Sequence, residues 1–301
     1  MNTRQMTPLQ DLTLLHRFLF SEAVEDPQFL EDVLSIIIGE DIVLKELPQT
    51  EKEIRNTNLR KYVRLDVWAK DEHENIYDAE VQREDTKNLP KRSRFYQALM
   101  DSRLLEAGDT EYEKLNRVHM IMIAPFDLFG KKRYKYTFQM ACSEEPDVFL
   151  NDGAYRIFLN THGTDDKNIS PELKALLEFF ENPSEEVANR SGNERIKRMQ
   201  KRVKSLKESE EVGVKYMREW EEKIFAKREA REEGLAEGRA EGRAEGLAEG
   251  RAEGRAEGLA EGRDRINKLN ELLLEAGRID DLKESIRDGE FQKKLLEEFG
   301  L

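Results

Sequence analysis

The sequence is poor in cysteine and has no long apolar run. Its one cysteine, Cys142, excludes an intramolecular disulfide and suits a reducing compartment. The longest apolar run, from Met120 to Phe126, is far too short to span a bilayer. The N-terminus lacks the charged segment, apolar run and cleavage site of a signal peptide. We therefore expect a soluble, cytoplasmic protein that has no membrane partner.

Several catalytic motifs are also missing. The four histidines, His16, His73, His119 and His162, are scattered and do not have the spacing of a zinc site. The sequence contains no Walker-type phosphate-binding loop. Nothing near Cys142 marks a base that would activate a thiol nucleophile. These absences argue against a zinc enzyme, a P-loop nucleotidase and a cysteine-nucleophile enzyme.

Charge dominates the composition. Hydrophobic and charged residues each make up 38% of the chain, so the excess charge indicates a solvated helical region beside one core. The net charge of −13 argues mildly against a nucleic-acid-binding protein, because duplex binding needs a basic face, but it says nothing about local basic patches. A length of 301 residues allows one large domain or two ordinary ones.

The stretch 61–83 predicts two strands joined by a short polar turn. In the first strand, Val63, Leu65 and Val67 share one face, and both strands carry carboxylates on the other. If the turn is centred near His73, Asp66 lies directly opposite Glu80, roughly 4.5–5.5 Å apart at Cβ. Carboxylates this close repel each other unless a cation, such as a divalent metal ion, lies between them. The alternative is that these acids are simply solvated on an exposed face.

Asp66, thirteen further residues and then Glu80-Val81-Gln82 resemble the core motif of PD-(D/E)XK nucleases. More narrowly, the chain resembles the recombination-promoting nuclease or putative transposase (Rpn) family, through the segments RLDV, AEVQ, PKRSRFYQ and KLNRVHMIMIAPFDLFG. The resemblance begins at about Asp11 and continues more weakly to Ile157. It implies a restriction-endonuclease-like core, with a central mixed sheet flanked by helices.

The resemblance also implies roles for individual residues. Asp66 and Glu80 would bind Mg²⁺ or Mn²⁺ with help from the Val81 carbonyl, and Gln82 would orient the attacking water. The implied activity is a metal-dependent DNA endonuclease linked to recombination or mobile elements. Gln82 stands where the motif name has lysine, and members of the family that this chain resembles often have Gln there. Gln82 brings no positive charge and cannot act as a base. A weak or inactive nuclease fold that serves as a DNA-binding or oligomeric scaffold is therefore the alternative.

Two helices are predicted before the hairpin. Asp11 either caps the first helix or supplies the extra acid that nucleases of this type often place there. The second helix has Asp26 at its N-cap and Pro27 at its first position, and it ends at Gly39. The poorly patterned segment 41–54 is a candidate for the edge strand of the sheet.

A third helix follows Asn88, and its predicted core side consists of Phe95, Ala98, Leu99, Ser102 and Leu105. Its first turns contain Lys91, Arg92 and Arg94, which oppose the helix dipole unless an anion such as a phosphate binds there. A solvated basic turn is the alternative. Arg94, Tyr96 and Gln97 also match an RxxYYxA-like segment of the same family, with Phe95 where Tyr is common.

The remainder of the first domain, 1–183, contains three predicted strands and one helix. Val118 to Phe126 has the continuous apolar character of a strand covered on both faces. Tyr134 to Met140 and Tyr155 to Asn160 are the other strands, and a helix begins at Pro171. With the hairpin and the earlier helices, these elements predict an α/β (α+β) fold followed by a helical tail.

The tail divides into three segments. Apolar residues of 184–234 have heptad spacing, which predicts a coiled coil or a helix docked on a partner; its basic face either contacts DNA or is solvated. Segment 235–262 repeats LAEG or RAEG seven times, and each glycine costs about 0.8–1.0 kcal/mol in a helix. This cost favours a flexible or fraying helical spacer over close helix packing in an oligomer. Segment 263–301 predicts a small helical hairpin. The expected partners are DNA and, through the tail, further copies of the chain.

Overall fold

A computed structural model describes residues 6–54, 63–102, 104, 111–167 and 169–301. The chain forms two compact units, Met1–Trp220 and Glu221–Leu301. Within the described ranges, no helix combines the length and the apolar character needed to cross a membrane. The stretch 55–62, which includes the first residues of the predicted hairpin, and Leu105 lie outside the described residues.

The first unit is built on a mixed sheet. Its strands are β1 (Gln49–Ile54), β2 (Val63–Lys70), β3 (Ile76–Val81), β4 (Val118–Ala124), β5 (Lys135–Phe138) and β6 (Ala154–Asn160). The spatial order is β1-β2-β3-β4-β6-β5; β3, β4 and β6 are parallel, whereas β1, β2 and β5 pair antiparallel with their neighbours. The mixed sheet and the edge position of β1 confirm the prediction of the fold class and of an edge strand within 41–54.

The helices are α1 (Arg17–Val24), α2 (Pro27–Ile38), α3 (Leu89–Asp101), α4 (Pro171–Glu181), α5 (Glu185–Ser191), α6 (Glu194–Glu208), α7 (Glu210–Glu275), α8 (Ile279–Arg287) and α9 (Gly289–Glu298). The signals of α2 are confirmed: the Asp26 side chain accepts from Gln28 N at 3.0 Å, and Gly39 takes a φ of 94° at the C-cap. Asp11 caps no helix, because α1 begins at Arg17 and Asp11 ends a short 3-10 turn.

Strand β4 separates two apolar clusters. Ile121 and Ile123 belong to the first cluster, which contains side chains of α1, α2, α4, α5 and α6. Met120 and Met122 belong to the second cluster, to which α3 contributes Leu89, Leu99 and Met100. The two faces of β4 are therefore both covered, as its uninterrupted apolar run predicts.

Helix α3 turns a different side inward from the one predicted. Leu99 is buried, but Phe95, Ala98 and Ser102 are exposed. Two polar residues take inward positions instead: Ser93 Oγ donates to Pro90 O at 3.0 Å, and Gln97 Oε1 accepts from Arg156 at 3.0 Å. Because both polar groups have partners, burying them is tolerated and the apolar pattern does not decide the orientation.

Helix α6 packs on its own domain rather than on a second chain. Ile196, Met199, Val203 and Leu206 are at most 4% exposed and lie in the first cluster with α1 and α2. The domain boundary at 183 is therefore wrong, since the first unit continues to Trp220. The stripe that resembled a coiled-coil seam is a stripe of core residues, and a chain ending at residue 183 would lose it.

Most basic residues of α6 hold it in place. Arg198 Nη2 lies 2.6 Å from Asp32 Oδ1, and Arg202 donates to the carbonyl of Glu22 at 3.2 Å. Lys207 donates to Gln10 O at 2.7 Å, and Arg195 also pairs with acids of the first unit. The exposed side of α6 still includes Lys201 and Lys204.

The glycine repeat is helical, which agrees with the helical form of the expected spacer and contradicts the flexible form. Segment 235–262 lies inside α7, which runs without a break for 66 residues. Three residues of each repeat unit are good helix formers, which offsets the glycine cost. The glycines face open space, because a Cβ at any of those within the repeat would meet nothing within 4 Å.

The end of the chain forms a small helical cluster, as predicted for 263–301. Leu269 and Leu273 of α7 are fully buried and pack with Leu295 of α9. Leu282 of α8 is partly buried against the same three residues. The apolar spacing in this segment therefore reflects packing of α8 and α9 on the last turns of α7.

Candidate functional site

The hairpin of β2 and β3 brings three acidic residues together. Val67 pairs with Ala79 and Trp68 with Asp78, which centres the hairpin on His73 as expected. The next positions along the two strands are Asp66 and Glu80. Asp78 lies two residues before Glu80 and so shares its face of β3. We call Asp66, Asp78 and Glu80 the acid cluster.

The alternation of β2 breaks beside the acid cluster. Val67 packs in the first cluster, whereas Leu65 packs in the second with Ile76 and Met120. Strict alternation would have put Leu65 and Val67 on the same face. The prediction that these two residues share a face is therefore wrong, and the irregularity lies at Asp66.

All three acids are withdrawn from solvent. Asp66 is 5%, Asp78 0% and Glu80 3% exposed, so the alternative of solvated acids on an open face is wrong. Acidic residues are almost never this buried without partners. Their burial makes the surrounding charges decisive.

Two arginines from different helices pair with the acid cluster. From the first turn of α1, Arg17 Nε lies 2.7 Å from Asp66 Oδ1. From the first turns of α3, Arg92 Nη2 donates to Glu80 Oε2 at 3.1 Å. Within the part of the chain that the structure describes, Glu80 Oε1 and both carboxyl oxygens of Asp78 have no hydrogen-bond partner.

The acid cluster shifts its own protonation equilibria. Burial, reinforced by the charge of Asp66, raises the pKa of Glu80 to about 8, against the opposing charges of Arg92 and Arg17. Burial also raises the pKa of Asp78 well above its usual value, with the charges of Glu80 and Asp66 acting in the same direction. The protein thus holds carboxyl groups whose negative charges are poorly compensated.

The acid cluster fits a divalent cation by the chemistry of its donors. In the described residues, no three or more His, Cys, Asp or Glu side chains are grouped closely enough to hold a metal ion. The unpartnered oxygens of Glu80 and Asp78 are nevertheless the hard donors that Mg²⁺ and Mn²⁺ prefer. Sequence reasoning missed Asp78, although its position two residues before Glu80 on a strand was a usable signal.

Gln82 continues the same face of the chain beyond β3. Its Nε2 donates to Glu84 O at 2.8 Å, and its Oε1 accepts from Arg92 Nη2 at 2.8 Å. Val81, between Glu80 and Gln82, turns its side chain into the first cluster. Arg92 therefore links the two polar residues of the strand motif.

The basic turn of α3 separates into two kinds of residue. Lys91 and Arg94 are exposed, whereas Arg92 is only 23% exposed and turns toward Glu80 and Gln82. The arginine of an RxxYY pattern that ends at Phe95-Tyr96 is Arg92, and the assignment to Arg94 is therefore wrong.

Tyr96, predicted to contact phosphate or DNA, lies near the acid cluster, whereas Asp11, the predicted additional acid, lies elsewhere on the surface. Tyr96 lies beside Arg92, whose Cζ is 5.7 Å from the ring centroid. Burial and the charge of Glu80 raise the pKa of Tyr96 to about 12. Asp11 is exposed, and its charge acts on Lys207 of α6. A role for Asp11 as an additional site acid stays a prediction.

The raised pKa of Glu80 predicts how stability depends on pH. Between about pH 4.3 and pH 8, folded Glu80 keeps a proton that an unfolded glutamate has released, so stability falls as the pH rises through this window. In EDTA, we expect the free energy of unfolding to drop by on the order of 1–3 kcal/mol between about pH 5 and pH 8. Urea denaturation at several pH values measures this drop.

In this experiment, Glu80→Gln should remove much of the pH dependence of the free energy of unfolding, because glutamine does not titrate. Glu186→Gln, at a side chain that is 85% exposed, is the matched control and should leave it unchanged. Equal pH dependence in the wild type and in Glu80→Gln would contradict the raised pKa.

Comparison with known protein families places most of the chain in a family. A family model described as "PD-(D/E)XK nuclease family transposase" matches residues 13–230. No curated protein and no solved structure matches the chain. The match includes the acid cluster, both arginines and the helices α1 to α6, and it agrees with the resemblance in the sequence. The chain belongs to the PD-(D/E)XK nuclease family of transposases.

Proposed function

We propose that the protein is a metal-dependent endonuclease that hydrolyses phosphodiester bonds in DNA. The observation that carries this proposal is the buried pair Asp66 and Glu80, each facing an arginine. Beside this pair, Glu80 Oε1 and the carboxyl oxygens of Asp78 have no hydrogen-bond partner among the described residues. Burying like charges together is costly unless a cation binds among them. Membership of a nuclease family supports the same reading.

Each residue of the site has a defined task in this proposal. Asp66 and Glu80 hold the metal ion, with the Val81 carbonyl as a further oxygen donor. When bound, Mg²⁺ or Mn²⁺ activates water and neutralises charge at the phosphate. Gln82 fixes the position of the attacking water: its amide oxygen has two lone pairs, and Arg92 uses one of them.

Isosteric substitutions test the two acids. We expect Asp66→Asn and Glu80→Gln each to reduce plasmid nicking by at least about 10³-fold, because one carboxylate alone holds a hard cation poorly. Both variants should also lose the rise in melting temperature that Mn²⁺ gives the wild type. Asp101→Asn, at the far end of α3, is the control and should keep both properties.

Nicking by either acid variant at the wild-type rate, in protein free of contaminating nucleases, would exclude this mechanism. A wild-type protein that binds DNA but does not nick it would favour the second candidate, an inactive nuclease fold that serves as a scaffold. Gln82 favours that candidate, because it brings no charge to the motif.

Lys91 and Arg94 extend the site toward the DNA backbone in this proposal. Both are exposed at the N-terminal end of α3, where helix amides also favour an anion. Replacing both by Gln should weaken binding to DNA of any sequence. The plot of log affinity against log salt concentration should become shallower, its slope decreasing in magnitude by about 2. Fluorescence anisotropy with a labelled duplex in EDTA measures the slope.

The exposed pair Lys201 and Lys204 of α6 provides the comparison. If Lys201→Gln/Lys204→Gln lowers the salt slope and Lys91→Gln/Arg94→Gln does not, the duplex contacts α6 and the turn of α3 is only solvated.

The long helix is the proposed means of self-assembly. The leucines of the repeat, Leu235, Leu247 and Leu259, are 51%, 57% and 71% exposed, and α7 carries small residues between them. A chain ending at Trp220 keeps the whole first unit, so it should fold and retain metal-dependent nicking. Light scattering should give it fewer subunits than the full chain has. An unchanged subunit number would place assembly in the first unit.

A further inference from the structure

The strand motif of this chain ends in Gln82, which leaves its last position without charge. A lysine there would place a cation beside a phosphodiester bound at the acid cluster. Each end of the Gln82 amide makes one contact, Nε2 with Glu84 O and Oε1 with Arg92, and neither end of the side chain carries a charge. The charge that reaches this position therefore comes from α3.

Arg92 is bound at this position by several contacts. One of its nitrogens, Nη2, donates to both Glu80 Oε2 and Gln82 Oε1, at 3.1 Å and 2.8 Å. The ring of Tyr96 lies beside its guanidinium. Its Nε is buried and has no hydrogen-bond partner within the described residues. A guanidinium has five N–H donors, and these contacts leave some of them available to a ligand.

Glu80 can serve Arg92 and a metal ion at the same time. Its Oε2 accepts from Arg92, and its Oε1 has no hydrogen-bond partner in the described part of the chain. Among the described residues, Arg17 also lies near the acid cluster, and it is paired with Asp66 on the side of α1. Arg92 is thus the cation that lies against the motif position itself.

We propose that Arg92 supplies, from helix α3, the positive charge that a lysine at position 82 would supply, and that it binds the phosphate oxygens of the cleaved bond. This proposal rests on the proposed nuclease function. The guanidinium of Arg92 stabilises negative charge through its fixed N–H donors and is not a proton acceptor in this role. Gln82 and Glu80 position the guanidinium, and in this proposal its remaining donors bind where negative charge develops on the phosphate.

Moving the charge back onto the strand tests the proposal. We expect Arg92→Gln to slow plasmid nicking about 10²–10³-fold, the usual cost of removing one donor that stabilises transition-state charge. Adding Gln82→Lys to Arg92→Gln returns a cation to the same place. The double variant should therefore nick plasmid at least about tenfold faster than Arg92→Gln. Arg92→Lys keeps the charge but loses the planar set of guanidinium donors. Its nicking rate should therefore lie between those of the wild type and Arg92→Gln.

The matched control is Arg156→Gln. Arg156 likewise donates to a glutamine, Gln97, at 3.0 Å and likewise has a buried Nε without a partner in the described residues, but it lies on β6. Its loss should leave nicking within about threefold of the wild type. Melting temperatures of all variants establish that they are folded.

A second readout does not depend on cleavage. In EDTA, Arg92→Gln should lower the salt slope of duplex binding by about 1, and Gln82→Lys should restore it in the double variant. Folded Arg92→Gln protein that nicks DNA at the wild-type rate, or a double variant no faster than Arg92→Gln, would overturn the proposal. If the wild type itself does not nick DNA, the proposed function fails, and an unchanged salt slope in Arg92→Gln would then overturn the phosphate contact separately.

Discussion

The burial of three carboxyl groups on two neighbouring strands is the constraint on which the site depends. Asp66, Asp78 and Glu80 are each at most 5% exposed, and burial, together with the charges of Glu80 and Asp66, raises the pKa of Asp78. An arrangement of this kind costs stability in the absence of a bound cation. The rest of the first unit can be understood as the framework that keeps these acids buried and brings opposite charge to them.

Helices α1 and α3 each bring an arginine to the buried acids. The first turn of α1 carries Arg17 to Asp66, and the first turns of α3 carry Arg92 to Glu80. Helix α6 packs on α1 and α2 through its apolar stripe, and Arg198 ties it to Asp32 of α2. The segment beyond residue 183 therefore supports the helix that presents Arg17. This explains in physical terms why the compact unit extends to Trp220.

The wrong predictions have a common cause, which is that one-dimensional patterns do not identify the partner of a surface. The stripe of α6 has the spacing of a coiled coil, but α1 and α2 of the same chain cover it. In α3, Ser93 and Gln97 are buried and Phe95 is exposed, because polar groups with partners can occupy inward positions. The repeat is helical despite its glycines, since three good helix formers accompany each one.

The sequence by itself determined the α/β (α+β) class, the hairpin centred on His73, the caps of α2 and the positions of Asp66 and Glu80 next to the Val67–Ala79 pair. These features follow from short-range rules, namely strand alternation, turn position and capping chemistry. Only the tertiary structure decided that the acids are buried, that Asp78 joins them and that Arg92, rather than Lys91 or Arg94, faces Gln82. Burial and charge pairing depend on which elements pack together, and contacts between residues distant in the chain leave no periodic signal in it.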